Sequence, residues 1–214
     1  MTARSAFLRR WVGWVTLGES LGFLAPALAQ LMAAALWPAA MVPLLIIAGS
    51  LEGAVLGWFQ VKVLRTRLPA VSVRRWVLFT AAAAAVAWTL GLLPAAGIFF
   101  QAWRTDVQIA AGTVAAVVLL VSIGFAQWIE LREHIPGAWR WVPGSAGAWA
   151  AGLAVFIAAS TPLWQPGQDL WLVAAIGIAA AVLMAVTMAA VSGLVMVQLL
   201  KRLEGRNTLA GRPE

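Results

Sequence analysis

The chain has 214 residues, 63% of them hydrophobic and only 11% charged, with 13 Trp, no Tyr, no Cys and one His. A soluble domain carries roughly 45–50% apolar and about 25% charged residues, so soluble enzymes and nucleic-acid binders are excluded and no nucleic-acid partner is expected. The formal net charge of +7 reads instead as membrane topology. Without Cys there is no thiolate ligand or nucleophile, and the lone His134 cannot complete a metal or haem site. No cofactor and no metal are expected.

Stretches of about 20 apolar residues, enough to cross a hydrocarbon core of about 30 Å, occur six times, at about 11–36, 43–64, 76–100, 107–131, 145–163 and 170–203. Trp37-Pro38 and Pro43 separate the first two, and Pro143-Gly144 and Thr161-Pro162 bound the fifth. The fold class expected is all-α, an integral-membrane six-helix bundle forming a single transmembrane domain over 1–214, with a tail at 204–214. A cleaved signal peptide ending near Ala27-Leu28-Ala29 is the competing reading of the first stretch. The internal Glu19 and the length of the run favour a span.

Basic residues set the orientation. Arg4, Arg9 and Arg10 precede the first span, Lys62 to Arg75 separate the second and third, Arg132 and Arg140 separate the fourth and fifth, and Lys201, Arg202, Arg206 and Arg212 follow the last. Only Arg104, Asp106 and Asp169 lie in the opposite loops, so both termini are expected in the cytoplasm. Trp11, Trp14, Trp58, Trp76, Trp128, Trp139 and Trp141 form an expected inner aromatic belt, and Trp37, Trp103, Trp164 and Trp171 an outer one.

Internal spacing suggests three two-helix hairpins, at about 11–64, 76–131 and 141–203. Gly57 and Gln60 precede Leu64-Arg65 and Pro69, and Gly124 and Gln127 precede Leu131-Arg132 and Pro136 at the same offsets. Arg10-Trp11-Val12, Arg75-Trp76-Val77 and Arg140-Trp141-Val142 open the three odd helices, while Gln198 with Lys201-Arg202 gives a weaker third copy of the even-helix ending. This pattern resembles a family of uncharacterised bacterial multi-pass membrane proteins with a repeated G-x-x-Q-W-x-x-L-R-x-x-x-P stretch followed by a helix opened by Trp-Val. Gly124 to Pro136 matches it fully, whereas the first copy has Val61 in place of Trp. The resemblance implies only the fold and a location in the bacterial inner membrane. Three hairpins in six helices also resemble mitochondrial carriers in architecture, without their acidic-basic proline motif.

The candidate intramembrane polar site is Glu19, Glu52, Gln60, Gln127 and Gln198. A carboxyl group inside a transmembrane helix costs about 2.5–3.5 kcal/mol on insertion scales. Glu19 lies eight residues beyond Trp11 and Glu52 ten before Lys62, so their depths match at about 12 and about 15 Å. Gly18 and Gly22 on one helix and Gly49, Gly53 and Gly57 on the next are expected to form facing ridges that bring the two carboxyl groups to one seam. There they either hold a proton or a cation between them or act as structural glue, hydrogen-bonded to Ser20, Ser50, an indole or a carbonyl. The three glutamines are expected to form a polar ring facing the bundle interior, or ordinary interhelical bonds worth about 0.6 kcal/mol each. Glu130 is expected to be neutralised by Arg132 or Arg140, His134 to be solvated, and Met184, Met188 and Met196 to serve packing. Lys62, Arg65, Arg67, Arg74 and Arg75 are expected to meet anionic lipid headgroups.

No nucleophile, base and metal set converges at one depth, so an enzyme is not expected. The expected activity is a passive or proton-coupled conduit for a small solute or cation. The alternative is a non-catalytic membrane scaffold or accessory subunit binding lipid, pigment or partner helices, with a membrane-protein partner or a homo-oligomer as its natural assembly.

Overall fold

The structure is a computed structural model describing residues 3–92 and 103–210. Its α-helices are α1 (Ala3–Gly22), α2 (Leu24–Leu36), α3 (Met41–Leu64), α4 (Val73–Leu92), α5 (Thr105–Leu131), α6 (Trp141–Ser160) and α7 (Leu170–Ala210), with no strand among the described residues. Six segments, from Arg4–Leu36 to Leu170–Gly205, are long and apolar enough to cross a membrane, the architecture of a multi-pass membrane protein.

The first segment is two helices because of Pro26. Proline has no N–H for the carbonyl four residues back and its ring crowds that carbonyl, which here belongs to Gly22; the helix breaks at Phe23. Prolines near helix starts act differently. Pro143 precedes the fifth helix in the sequence reading, yet α6 begins at Trp141, because a first-turn N–H has no intrahelical acceptor and its loss costs nothing. The expected end of the third span near Phe100 lies outside the described residues, as does Arg212.

The six segments close into a ring in chain order. α1 packs on α3, α3 on α4, α4 on α5, α5 on α6, α6 on α7 and α7 back on α1, while α2 continues along α3. Each helix buries one stripe. On α1 it is Phe7, Trp11, Val15 and Glu19; on α7 it is Ala185, Met188, Ser192, Met196 and Leu199, the three-to-four spacing of one helical face.

Burial is uneven along the axis. At the end carrying the basic loops, Trp11, Trp76, Trp141, Leu64, Leu131, Ile135 and Met196 pack into one core. Toward the other end α5 buries nothing before Ile123, and α2 buries only Pro26 and Ala33. The ring is tight at its basic end and splayed at the opposite one. Trp11, Trp76 and Trp141 therefore do not join the inner aromatic belt expected of them: they are almost wholly buried, whereas Trp14, Trp58 and Trp139 are exposed, as are Trp37, Trp103, Trp164 and Trp171.

The glycine ridges also pack differently from expectation. Gly18 and Gly22 do face α3, where Phe59 and Glu52 fill the room they leave. Gly49, Gly53 and Gly57 turn the other way, against Trp88, Ala84 and Thr80 of α4. A helix in a ring has two neighbours, and each ridge admits a large side chain on one of them. Adding a methyl group at Gly49 would place it inside the Trp88 indole, whereas Gly112 has open space beside it. Thermal unfolding in detergent should therefore show Gly49→Ala destabilised, while Gly112→Ala is neutral or stabilised by up to about 1 kcal/mol, the usual gain of Ala over Gly in a helix.

Candidate functional site

Inside the splayed half of the ring lies a cavity of about 320 Å³, walled by residues from α1, α3, α4, α5, α6 and α7 and by Phe23 at the α1–α2 break. Glu19 and Glu52 are the titratable groups of its described wall, which is otherwise apolar or aromatic and includes Trp88, Trp149 and Phe156. Both expected carboxyl residues thus reach one site, facing protein and not lipid: Glu19 is 3% exposed and Glu52 7%.

Local packing explains their meeting. The Glu52 backbone and Cγ lie directly over Gly22, one turn along α1 from Glu19, so the α1 and α3 backbones approach closely and the two side chains interact within the seam. Glu52 Oε2 accepts a 2.8 Å hydrogen bond from Trp88 Nε1, and Trp88 is held over Gly49. Neither oxygen of Glu19 receives a hydrogen bond from a donor on any described residue. Ser50, a candidate partner, donates instead to the Ala81 carbonyl at 3.2 Å. The indole expected as glue serves Glu52; no described donor reaches Glu19 in that way, and the interaction it has is with the Glu52 carboxyl group.

Beneath the cavity, toward the basic end, a polar layer crosses the bundle. Gln127 accepts from Trp141 Nε1 at 2.9 Å and donates from Nε2 to Gln60 Oε1 at 2.7 Å and to Thr80 Oγ1 at 3.0 Å. Gln60 Oε1 also accepts from Trp76 Nε1 at 3.3 Å. The link from α3 to α5 joins helices that are not ring neighbours, so it runs through the interior. Trp11 donates to Ser192 Oγ at 3.1 Å and meets Trp141 edge-on, with centroids 6.1 Å apart. These contacts fill the axis and separate the cavity from the basic end.

Gln60 and Gln127 occupy this layer as expected. Gln198 does not: it is exposed, and Met196 holds the buried position. The signal that identifies Met196 is spacing. Met196 follows Gly193 by three residues, as Gln60 follows Gly57 and Gln127 follows Gly124, and Leu200-Lys201 then falls where Leu64-Arg65 and Leu131-Arg132 fall. The amide is the wrong anchor for the third helix ending; the glycine is the right one, and it packs against Trp11 and Leu8.

Glu130 is also paired differently from expectation. Buried at the end of α5, it takes a 2.8 Å ion pair from Arg75, the Ser72 backbone N–H at 2.7 Å and His134 Nε2 at 3.2 Å. Arg132 and Arg140 lie over the rings of Trp128 and Trp139 instead. Arg75 also grips Glu133, whose carboxyl it holds below the usual carboxylate range chiefly through that hydrogen bond. His134 is consequently partly buried, not solvated. Of the basic residues expected at headgroups, Arg75 is committed to this cluster, Arg67 pairs with Glu204 at 3.5 Å, Arg65 donates to the Pro69 carbonyl, Lys62 stands 4.0 Å over the Trp58 ring, and Arg74 is exposed.

Comparison with protein-family models, with curated proteins and with solved structures finds no match. The polar layer itself gives a clear expectation. Gln127→Leu strands the Trp141 N–H and one donor set in a dry core, and should destabilise by about 1–3 kcal/mol; Gln198→Leu should leave the melting temperature unchanged.

Proposed function

We propose that this is a non-enzymatic conduit of the bacterial inner membrane, built from three hairpins, with its basic end in the cytoplasm and its cavity reached from the opposite side. The observation that carries this reading is the cavity walled by all six segments, with Glu19 and Glu52 brought together in its wall. A scaffold has no need of two carboxyl groups buried side by side, since insertion of such groups is costly and selection can replace them with apolar residues. A conduit needs them, because a site that binds and releases a proton or a cation must keep its own groups incompletely satisfied.

In this reading the splayed ring is the outward-accessible arrangement. The Trp–Gln layer is the closed gate, and access from the cytoplasm requires the Gln60–Gln127 and Trp11–Ser192 bonds to part. The orientation follows from the basic loops, and Arg74 and Lys62 are then placed to contact anionic headgroups. The two carboxyl groups take up one proton between them when no cation is bound.

Proteoliposomes holding a pH-sensitive dye test this. With a small organic cation supplied on the side opposite the protons, wild-type protein should collapse an imposed proton gradient faster than empty vesicles do. Glu19→Gln and Glu52→Gln should abolish the difference while melting temperature stays nearly unchanged, since Gln keeps shape and hydrogen bonding but does not titrate. Wild-type vesicles that hold the gradient as long as empty ones would leave the scaffold reading in place.

A further inference from the structure

From the chemistry of the cavity wall we infer that its cargo is a monovalent organic ammonium ion with an apolar body, seated with its charge between Glu19 and Glu52 and its hydrocarbon against Trp88, Trp149, Phe23 and Phe156. The inference deepens the conduit reading and rests on it for the site it uses.

Four observations narrow the occupant. Apart from a proton shared with Glu52, the two buried oxygens of Glu19 meet no donor among the described residues, so an occupant that displaces that proton supplies positive charge in its place. No Lys, Arg or His lines the described wall, so that charge is not already present, and an anion would meet only repulsion. The wall offers few oxygens besides the carboxylates, one of which is already engaged by Trp88, whereas a hard metal ion asks for six or more oxygen ligands or retained waters. At about 320 Å³ the space far exceeds a bare ion and suits a small organic molecule. The aromatic faces attract a cation further, each by about 0.5–2 kcal/mol where water is excluded. A neutral apolar solute would fill the space and leave the charge of the carboxyl pair uncompensated.

Charge balance ties binding to protons. If the pair holds one proton when empty, entry of an ammonium ion releases it, and its return expels the cation. Glu19 on α1 and Glu52 on α3 are the titratable groups facing the site; α2 and α4 to α7 present no charged side chain to it.

The test uses the full chain in detergent and a matched pair of probes, benzyltrimethylammonium and its neutral carbon isostere neopentylbenzene, followed by calorimetry. The cation should bind saturably, and the isostere at least about tenfold more weakly. Glu19→Gln and Glu52→Gln should each weaken the cation by about tenfold or more without changing the isostere. Affinity should rise with pH, by up to about tenfold per unit, with proton release visible as a dependence of the heat on buffer ionisation. Equal binding of both probes, or cation binding unchanged in both variants, would overturn the inference. Cation binding without proton flux in vesicles would remove the conduit and keep the site, and proton flux without cation binding would do the reverse.

Discussion

An indole N–H in hydrocarbon has no water to turn to, so it must find an acceptor on the protein. Trp11, Trp76 and Trp141 lie toward the basic end of three odd-numbered segments, and each carries its N–H inward to an acceptor on an even-numbered one: Ser192, Gln60 and Gln127. That requirement fixes the ring. It orders the helices, tightens them at one end, and leaves the other end free to splay around the cavity. The same bonds that stabilise the basic end also cross the bundle interior there, between that end and the cavity.

The carboxyl pair is the opposite case. Gly22 lets the α3 backbone approach α1 closely enough for Glu52 to reach Glu19, and Gly49 seats the Trp88 ring that serves Glu52 alone. Glu52 therefore has an indole donor and Glu19 has only the carboxyl group of Glu52 to turn to. Where Glu130 is met by an arginine, a backbone N–H and a histidine, the two cavity carboxyl groups are met by no described basic residue.

Much of this is legible in the chain. Apolar runs alone locate the six segments, because the hydrocarbon thickness sets their length, and the cost of burying a carboxyl group is enough to single out Glu19 and Glu52. What sequence does not carry is direction around a helix axis. The Trp residues after Arg10, Arg75 and Arg140 sit at the boundary depth of an aromatic belt, and only the ring geometry turns them inward. Gly49, Gly53 and Gly57 form a ridge in either reading, but a ridge does not say which of two neighbours it faces. Gln198 shares residue type with Gln60 and Gln127 while Met196 shares their register, and burial follows register because side-chain direction depends on helical phase, not on chemistry. Arg75 reaches Glu130 across 55 residues of chain, a pairing that no local charge pattern announces.

The claim on which the account depends is that the carboxyl pair is reached from one end only. In this cysteine-free chain the most direct measurement places single cysteines at Ala87, on the cavity wall, and at Ser192, within the sealing layer, and applies a small membrane-impermeant thiol reagent to intact cells and to inverted membrane vesicles. Labelling of Ala87→Cys from outside the cell, slowed by added benzyltrimethylammonium, with Ser192→Cys unreactive from both sides, is the expected result. Labelling of Ala87→Cys from the cytoplasmic side alone, or from neither side, would contradict it.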